Sequence, residues 1–273
     1  MRRLMNLAPR PGIRLLLGLL PFVLIAFIYV AASAERRAVN PDDKLLPPVS
    51  EMVAAANRLA FEPDRRSGEY VLWSDTAASL RRLALGLGIA TAIGLTVGLG
   101  IGVLPLVGAT LAPLVGVLSM VPPMAILPIL FIVFGLGELS KVVLILIGVT
   151  PFLIRDLALT ISALPPEQLV KAQTLGASTW QVAIRVVLPQ IMPRLIEAVR
   201  LSIGPAFLFL IAAEAIASDV GLGYRIFLVR RYLAMDIILP YVAWITLLAF
   251  LMDWALATLA RRAFGFAYVT ERR

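Results

Sequence analysis

The chain has 273 residues, 60% of them hydrophobic and 15% charged, with a net charge of +8 and neither cysteine nor histidine. A soluble domain carries about 25% charged residues, so this composition belongs to a membrane protein. Without Cys or His there is no disulfide, no thiolate or imidazole metal site, and no Ser–His or Cys–His catalysis. The basic residues sit mainly at the ends of apolar stretches, which argues against a nucleic-acid-binding patch.

Residues 1–14, MRRLMNLAPRPGIR, are basic and contain no acid. Residues 15–34 then supply about 20 apolar positions, enough for a bilayer core of roughly 30 Å. Ala32-Ser33-Ala34 resembles a signal-peptidase site, but a signal's apolar core is only about 7–15 residues, so a retained first span is expected. The segment 35–81 is polar at first. Ser50 is expected to cap a short helix ending at Phe61, and EPDRRSGE (62–69) reads as a loop. Tyr70 and Trp73 suit a membrane interface. The segment is expected to be a structural arm on the outer face.

Five further spans are expected at about 82–104, 109–134, 140–161, 195–217 and 237–260. In the second span Gly86, Ala90, Gly94, Gly98 and Gly102 recur every four residues, a ridge that lets helix backbones approach closely within the subunit. The third span is broken by Pro113, Pro122, Pro123 and Pro128, each of which removes a backbone donor. Breaks at membrane depth are tolerated against neighbouring protein or a water-filled cavity, and in transporters they mark the pathway. Met120, beside the break, is expected to line that pathway with Pro122 and Pro123, as an adaptable apolar gate. Glu214, in the fifth span, is either a pathway residue or the mate of an arginine such as Arg200 or Arg225. Asp253, in the sixth, reads as a structural pairing or snorkelling residue.

Between the fourth and fifth spans lies the one long polar interruption, PPEQLVKAQTLGASTWQVAIRVVLP (165–189). It reads as two short helices. Pro165 and Pro166 suit a first turn. Gly176 sits where a helix ends in a left-handed residue. Ser178 with Gln181 is a capping box that starts the second helix, and Pro189 is expected to stop it. Trp180, Ile184 and Val187 would share one apolar face, suited to docking on another protein.

These residues carry a resemblance. Gly176, nine residues, Val186, one residue, then Leu188-Pro189 is similar to the cytoplasmic "EAA" loop of ABC transporter permeases. Of the opening triplet Val170-Lys171-Ala172, only Ala172 keeps the family pattern. The flanking pieces LLPPVSEMV (45–53), SLRRLALGLGIATAIGLTVGLGIG (79–102), VPPMAILPILFIVFGLGELSKVVL (121–144), LIAAEAIA (210–217) and GLGYRI (221–226) look most like taurine, sulfonate and nitrate uptake permeases. The resemblance covers roughly residues 40–265.

It implies an all-α membrane protein of six transmembrane helices with the type I ABC importer permease fold: a core at 82–260 plus the added N-terminal span. It implies that Ala172, Gly176, Ala177, Ser178, Trp180, Leu188 and Pro189 meet a cytoplasmic ATPase. The loop 165–189, the basic start of the chain and the tail 261–273 would then be cytoplasmic in a bacterial inner membrane. Implied partners are ATPase subunits, an external or periplasmic binding protein, the bilayer, and a second copy in a homodimer; nucleic acid is not among them. No cofactor and no bond chemistry are expected, since the chain lacks a glycine-rich phosphate loop with Lys-Ser/Thr. The implied cargo is a small polar nutrient, either taurine-, sulfonate- or nitrate-like, with bicarbonate as a further candidate, or a nitrogen compound such as a urea or guanidine derivative. The lack of an intramembrane Lys or Arg cluster argues against a tight anion site in the pathway. The alternative class is a stand-alone ion-coupled secondary transporter, which would show midplane ionisable residues and an internal repeat; no convincing repeat is seen.

Overall fold

A computed structural model of the protein describes residues 11–41, 43–65 and 67–266. Most of the basic start of the chain and the end of the tail, 267–273, lie outside the described residues. Among the described residues all regular structure is helical. Five helices are long and apolar enough to cross a membrane, and a bent pair makes up to a sixth span.

The first helix, α1 (Pro11–Val39), is followed by the arm helix α2 (Val49–Phe61). Pro48 is the N-cap of α2, and no side chain caps it. Ser50 therefore lies inside the first turn and does not cap as expected: Pro48, with its extended backbone, already occupies the entry position. Among the described residues, none of the apolar window of α1 is buried by the rest of the chain. Among the described residues the helix is tied in its C-terminal half, where Tyr29 Oη donates to Pro47 O (2.6 Å) and Ser33 Oγ to Leu46 O (2.8 Å). The arm is pinned to the bundle by Trp73, whose indole donates to Ala60 O (3.0 Å) and meets the Trp244 ring edge-on at 5.6 Å.

The core is built on α3 (Val71–Val103) and α6 (Glu138–Ser162), which share the most extensive interface of the molecule. They run parallel: Gly86 faces Ile145, Gly94 faces Leu153, Gly98 faces Leu157 and Gly102 faces Ile161. A Cβ on Gly94 would stand 2.7 Å from Leu153 Cβ, so the glycine ridge is what lets these backbones meet. The ridge packs inside the subunit. Helix α3 starts about three turns before its expected boundary, because its polar first turns face inward onto a network described below.

Between α3 and α6 the chain forms α4 (Pro105–Leu118), a 3₁₀ turn (Pro123–Ile126) and α5 (Leu127–Phe134). The two halves meet at 79°. Pro122 and Pro123 sit in this break and Pro128 in the first turn of α5, so a continuous helix here would lack three donors. Pro113, by contrast, is carried inside α4.

After α6 come α7 (Pro166–Thr174), α8 (Thr179–Gln181), a π-helical turn (Val182–Val187), α9 (Leu188–Ala217), α10 (Leu222–Arg230) and α11 (Met235–Ala263). Pro189 does not end a helix. α8, the π turn and α9 form one 39-residue run from Thr179 to Ala217. In the π register Leu188 N–H bonds back to Ala183 O, five residues away. The widened turn lies directly before the proline's missing donor, so the helix passes through. α9 runs antiparallel to α3 and α6, and Asp156 of α6 takes a bidentate fork from Arg194 of α9 at 2.8 and 2.5 Å. α11 closes the bundle, with Asp253 paired to Arg200 (2.8 Å), the structural pairing expected for it.

Candidate functional site

Three places hold the candidate residues: the hairpin at one end of the bundle, a polar network at the far end, and the break between α4 and α5.

The hairpin turns by backbone geometry. α7 starts at Pro166 with Pro165 as its N-cap. At its other end Gly176 N–H bonds to Gln173 O (2.9 Å) and Ala177 N–H to Ala172 O (3.0 Å). This is a Schellman motif, and it places Gly176 at φ +81°. Ser178 and Gln181 then close the reciprocal capping box: Ser178 N–H donates to Gln181 Oε1 (2.8 Å) and Gln181 N–H to Ser178 Oγ (3.3 Å). Ala172, Ala177 and Leu188 pack partly against the core, while Gly176, Ser178 and Pro189 stay exposed. Trp180 is 72% exposed and Leu175 80%. Val170 and Ile184 are exposed as well. Val187 is not on that face. It is 1% exposed, because the run continues into α9 and carries it into the core.

At the far end Glu214 is fully buried. Its carboxylate accepts from Arg82 Nη1 (2.6 Å), Ser79 Oγ (2.8 Å) and Gly223 N–H (2.9 Å). Arg82 reaches on to Glu138 with Nε and Nη2 (2.6 and 2.7 Å), and Lys141 meets the same carboxylate (3.0 Å). Asp75, also fully buried, accepts from Arg225 Nε (2.8 Å), Tyr241 Oη (2.9 Å) and Gly221 N–H (2.9 Å). Three carboxylates thus balance three cations; Asp75, Arg82, Lys141 and Glu214 are buried and paired, as buried charges require, while Glu138 is exposed. Gly221, at φ +137°, lies so close that a Cβ there would be 2.6 Å from the Glu214 carboxylate. The arginine mate of Glu214 is Arg82, not Arg200 or Arg225, and Glu214 touches none of the described clefts. Its geometry is that of a clamp between α3, α6, α9 and the α9–α10 loop. Asp75, Ser79 and Arg82 were hidden from sequence reasoning by separations of more than 130 residues from their partners in α9 and α10.

At the break, Met120 is 79% exposed, and Pro122 is exposed too. Pro123 lines a cleft of about 390 Å³ with Ser119, Val121, Gly148, Phe152, Arg155 and Phe209, among others. Arg155 Nη1 donates to Ser119 Oγ (2.7 Å). Arg155 was not singled out from sequence; a charged pair, Arg155-Asp156, inside the apolar run FLIRDLAL was the available signal.

A bundle of spanning helices around a broken one, with a capped hairpin projecting from one end, defines a membrane transport component. Residues 84–265 match the family described as the binding-protein-dependent transport system inner membrane component. The chain belongs to that family: it is a multi-pass permease subunit of an ABC importer. It is 36% identical over 191 residues to the taurine transport system permease protein TauC of Escherichia coli (strain K12), covering 70% of each chain. It is 32% identical to the bicarbonate transport system permease protein CmpB of Synechococcus elongatus, over 90% of this chain and 87% of that one. Among solved structures, the MetNI methionine ABC transporter in an inward-facing conformation aligns with a TM-score of 0.63 at 19% identity. It covers 73% of this chain and 99% of that one. This likeness establishes the fold.

Proposed function

We propose that this permease forms half of a translocation pathway, with a second copy forming the other half. Its hairpin receives the motion of a cytoplasmic ATPase, and an external binding protein delivers a small polar nutrient to the far end. Both chain ends and the hairpin then lie on the cytoplasmic side. The observation that carries this reading is the hairpin. A doubly capped turn holds Leu175, Trp180 and Ile184 in the open, although each is apolar and the rest of the bundle offers them no cover. Ala172, Gly176, Ala177 and Ser178 set the turn. Leu188 and Pro189 continue it into α9, so the whole set acts as one rigid projection. ATP hydrolysis belongs to the partner, and this subunit moves its cargo by alternating access. In this reading Met120, Pro122 and Pro123 line the pathway beside the break; the exposure of Met120 and Pro122 and the cleft lined by Pro123 support it.

The relatives named above transport taurine or bicarbonate, and a nitrate import permease from Synechococcus elongatus is 29% identical over 209 residues. They support a small anion or zwitterion as the cargo.

The test is reconstitution. In liposomes the permease alone should accumulate no solute under any ion gradient. Adding its ATPase, its binding protein and ATP should start concentrative uptake. Trp180→Ala should abolish that uptake while the permease still inserts. Gradient-driven uptake by the permease alone would return the reading to a secondary transporter.

A further inference from the structure

Arg155 differs from Arg82, Arg194 and Arg200, though not from the exposed Arg81 of α3, in having no carboxylate partner among the described residues. Arg82, Arg194 and Arg200 each close an ion pair with a carboxylate. Arg155 has no carboxylate within 4.0 Å among the described residues. Its one hydrogen bond goes to Ser119 Oγ, whose own proton goes to Gly116 O (2.7 Å). A guanidinium carries five N–H donors, so most of the fork is left open beside the cleft of about 390 Å³. The neighbouring Asp156 also lines that cleft, but both its oxygens are taken by Arg194. The rest of the lining is apolar, built from Leu118, Val121, Pro123, Ile147, Phe152 and Phe209, among others. Arg155 is exposed at this cleft and at a second, smaller one, and a cation within a spanning helix calls for a counter-charge or water.

We propose that Arg155, with Ser119 as an accepting brace only, forms an anion-binding subsite of the pathway, which takes the sulfonate, nitrate or bicarbonate-like group of the cargo. This rests on the importer reading and narrows its substrate class. The planar fork offers paired donors to two oxygens of one oxyanion, and the cleft volume suits a small molecule. A cationic guanidine derivative is repelled by the same charge, so the guanidine part of the substrate expectation falls away, while neutral urea gains nothing from it. The contact to Ser119 keeps Arg155 extended across the break, where α4 ends.

The chain has no cysteine, so a single probe can be placed. Val121→Cys, on the cleft wall, is reacted in phosphatidylcholine nanodiscs with two methanethiosulfonates, one bearing a sulfonate and the other a trimethylammonium group. The anionic reagent should react at least tenfold faster, the effect of one unit charge acting across about 10 Å of protein-like dielectric. Arg155→Gln should abolish the preference, and Arg155→Lys should keep it. Ser119→Ala should also keep it, since the charge remains. Nitrate and methanesulfonate should slow the reaction, whereas urea and guanidinium at the same ionic strength should not. Equal rates for the two reagents would overturn the subsite, as would a preference that survives Arg155→Gln. So would a loss of preference in Ser119→Ala alone, which would make the pair a brace for the bend. None of these outcomes bears on ATP-driven uptake, which tests the importer reading separately.

Discussion

At the hairpin end the chain is shaped by main-chain hydrogen bonds: the Schellman pair at Gly176 and Ala177, and the box between Ser178 and Gln181. Its apolar side chains are left in the open. At the far end the reverse holds. Side chains do the work, with Asp75, Arg82, Glu138, Lys141, Glu214 and Arg225 closed into one balanced set. The hydrogen bonds that turn the hairpin are all made within it, while Ala172, Ala177 and Leu188 rest against the core. The far end depends on four elements at once and fails if any of them moves away. One end is built for exchange of partners, the other for permanence.

The comparison is broken most severely by removing one charge from the far end. Arg82→Met leaves Glu214 buried with only Ser79 and Gly223 as donors, which costs about 3–5 kcal/mol. The variant is expected to be lost from the monodisperse fraction in mild detergent. Arg82→Met combined with Glu214→Leu should restore most of the melting temperature, because no unpaired buried charge then remains at that spot. A wild-type melting curve for the single variant would show that the network does not hold the bundle.

A smaller effect tests the seam that joins the two ends. Gly94→Val drives a Cβ to 2.7 Å from Leu153 Cβ. The expected loss is about 1–3 kcal/mol of stability from overpacking. Gly88→Val on the same helix meets open space and should melt as the wild type does. Equal melting of the two variants would mean that α3 and α6 do not pack through the ridge.

The smallest effect lies in the hairpin. Gly176→Ala meets no atom within 4 Å, so its only cost is the left-handed backbone, about 1–2 kcal/mol. The melting temperature of the bundle should hardly move, since the turn carries none of the core. Trypsin should cut faster at the exposed Lys171 and Arg185, and ATP-driven uptake should fall. A drop in melting temperature like that of Arg82→Met would contradict the independence of the two ends.

Local signals were legible in the sequence because each is written in the residue types and spacings of one short stretch. The capping box, the turn at Gly176, the glycine ridge and the proline break all belong to this kind. The mate of Glu214 was not legible: Arg82 is 132 positions earlier, and only the packing of α3 on α9 brings them together. Two local rules also misled. A proline marks a stop in an α register, but the π turn before Pro189 carries the helix through. That continuation took Val187 into the core, although its spacing from Trp180 suggested a shared face. Ser50 has the right chemistry for a cap but stands two residues too far in, since Pro48 is the N-cap. Arg155 was visible as a charge in an apolar run, yet its lack of a carboxylate partner emerges only in three dimensions.

The continuity of the run from Thr179 to Ala217 has a mechanical consequence. Its 39 residues give a contour of about 58 Å at 1.5 Å per residue. Trp180 stands near one tip of this strut and Glu214 near the other. A displacement of the exposed tip therefore arrives at the clamped tip without crossing a loop. The π turn is the widest-wound part of the strut and sits next to the loaded end, where a small change of winding would rotate the hairpin about the strut's long axis while the clamped end stays fixed.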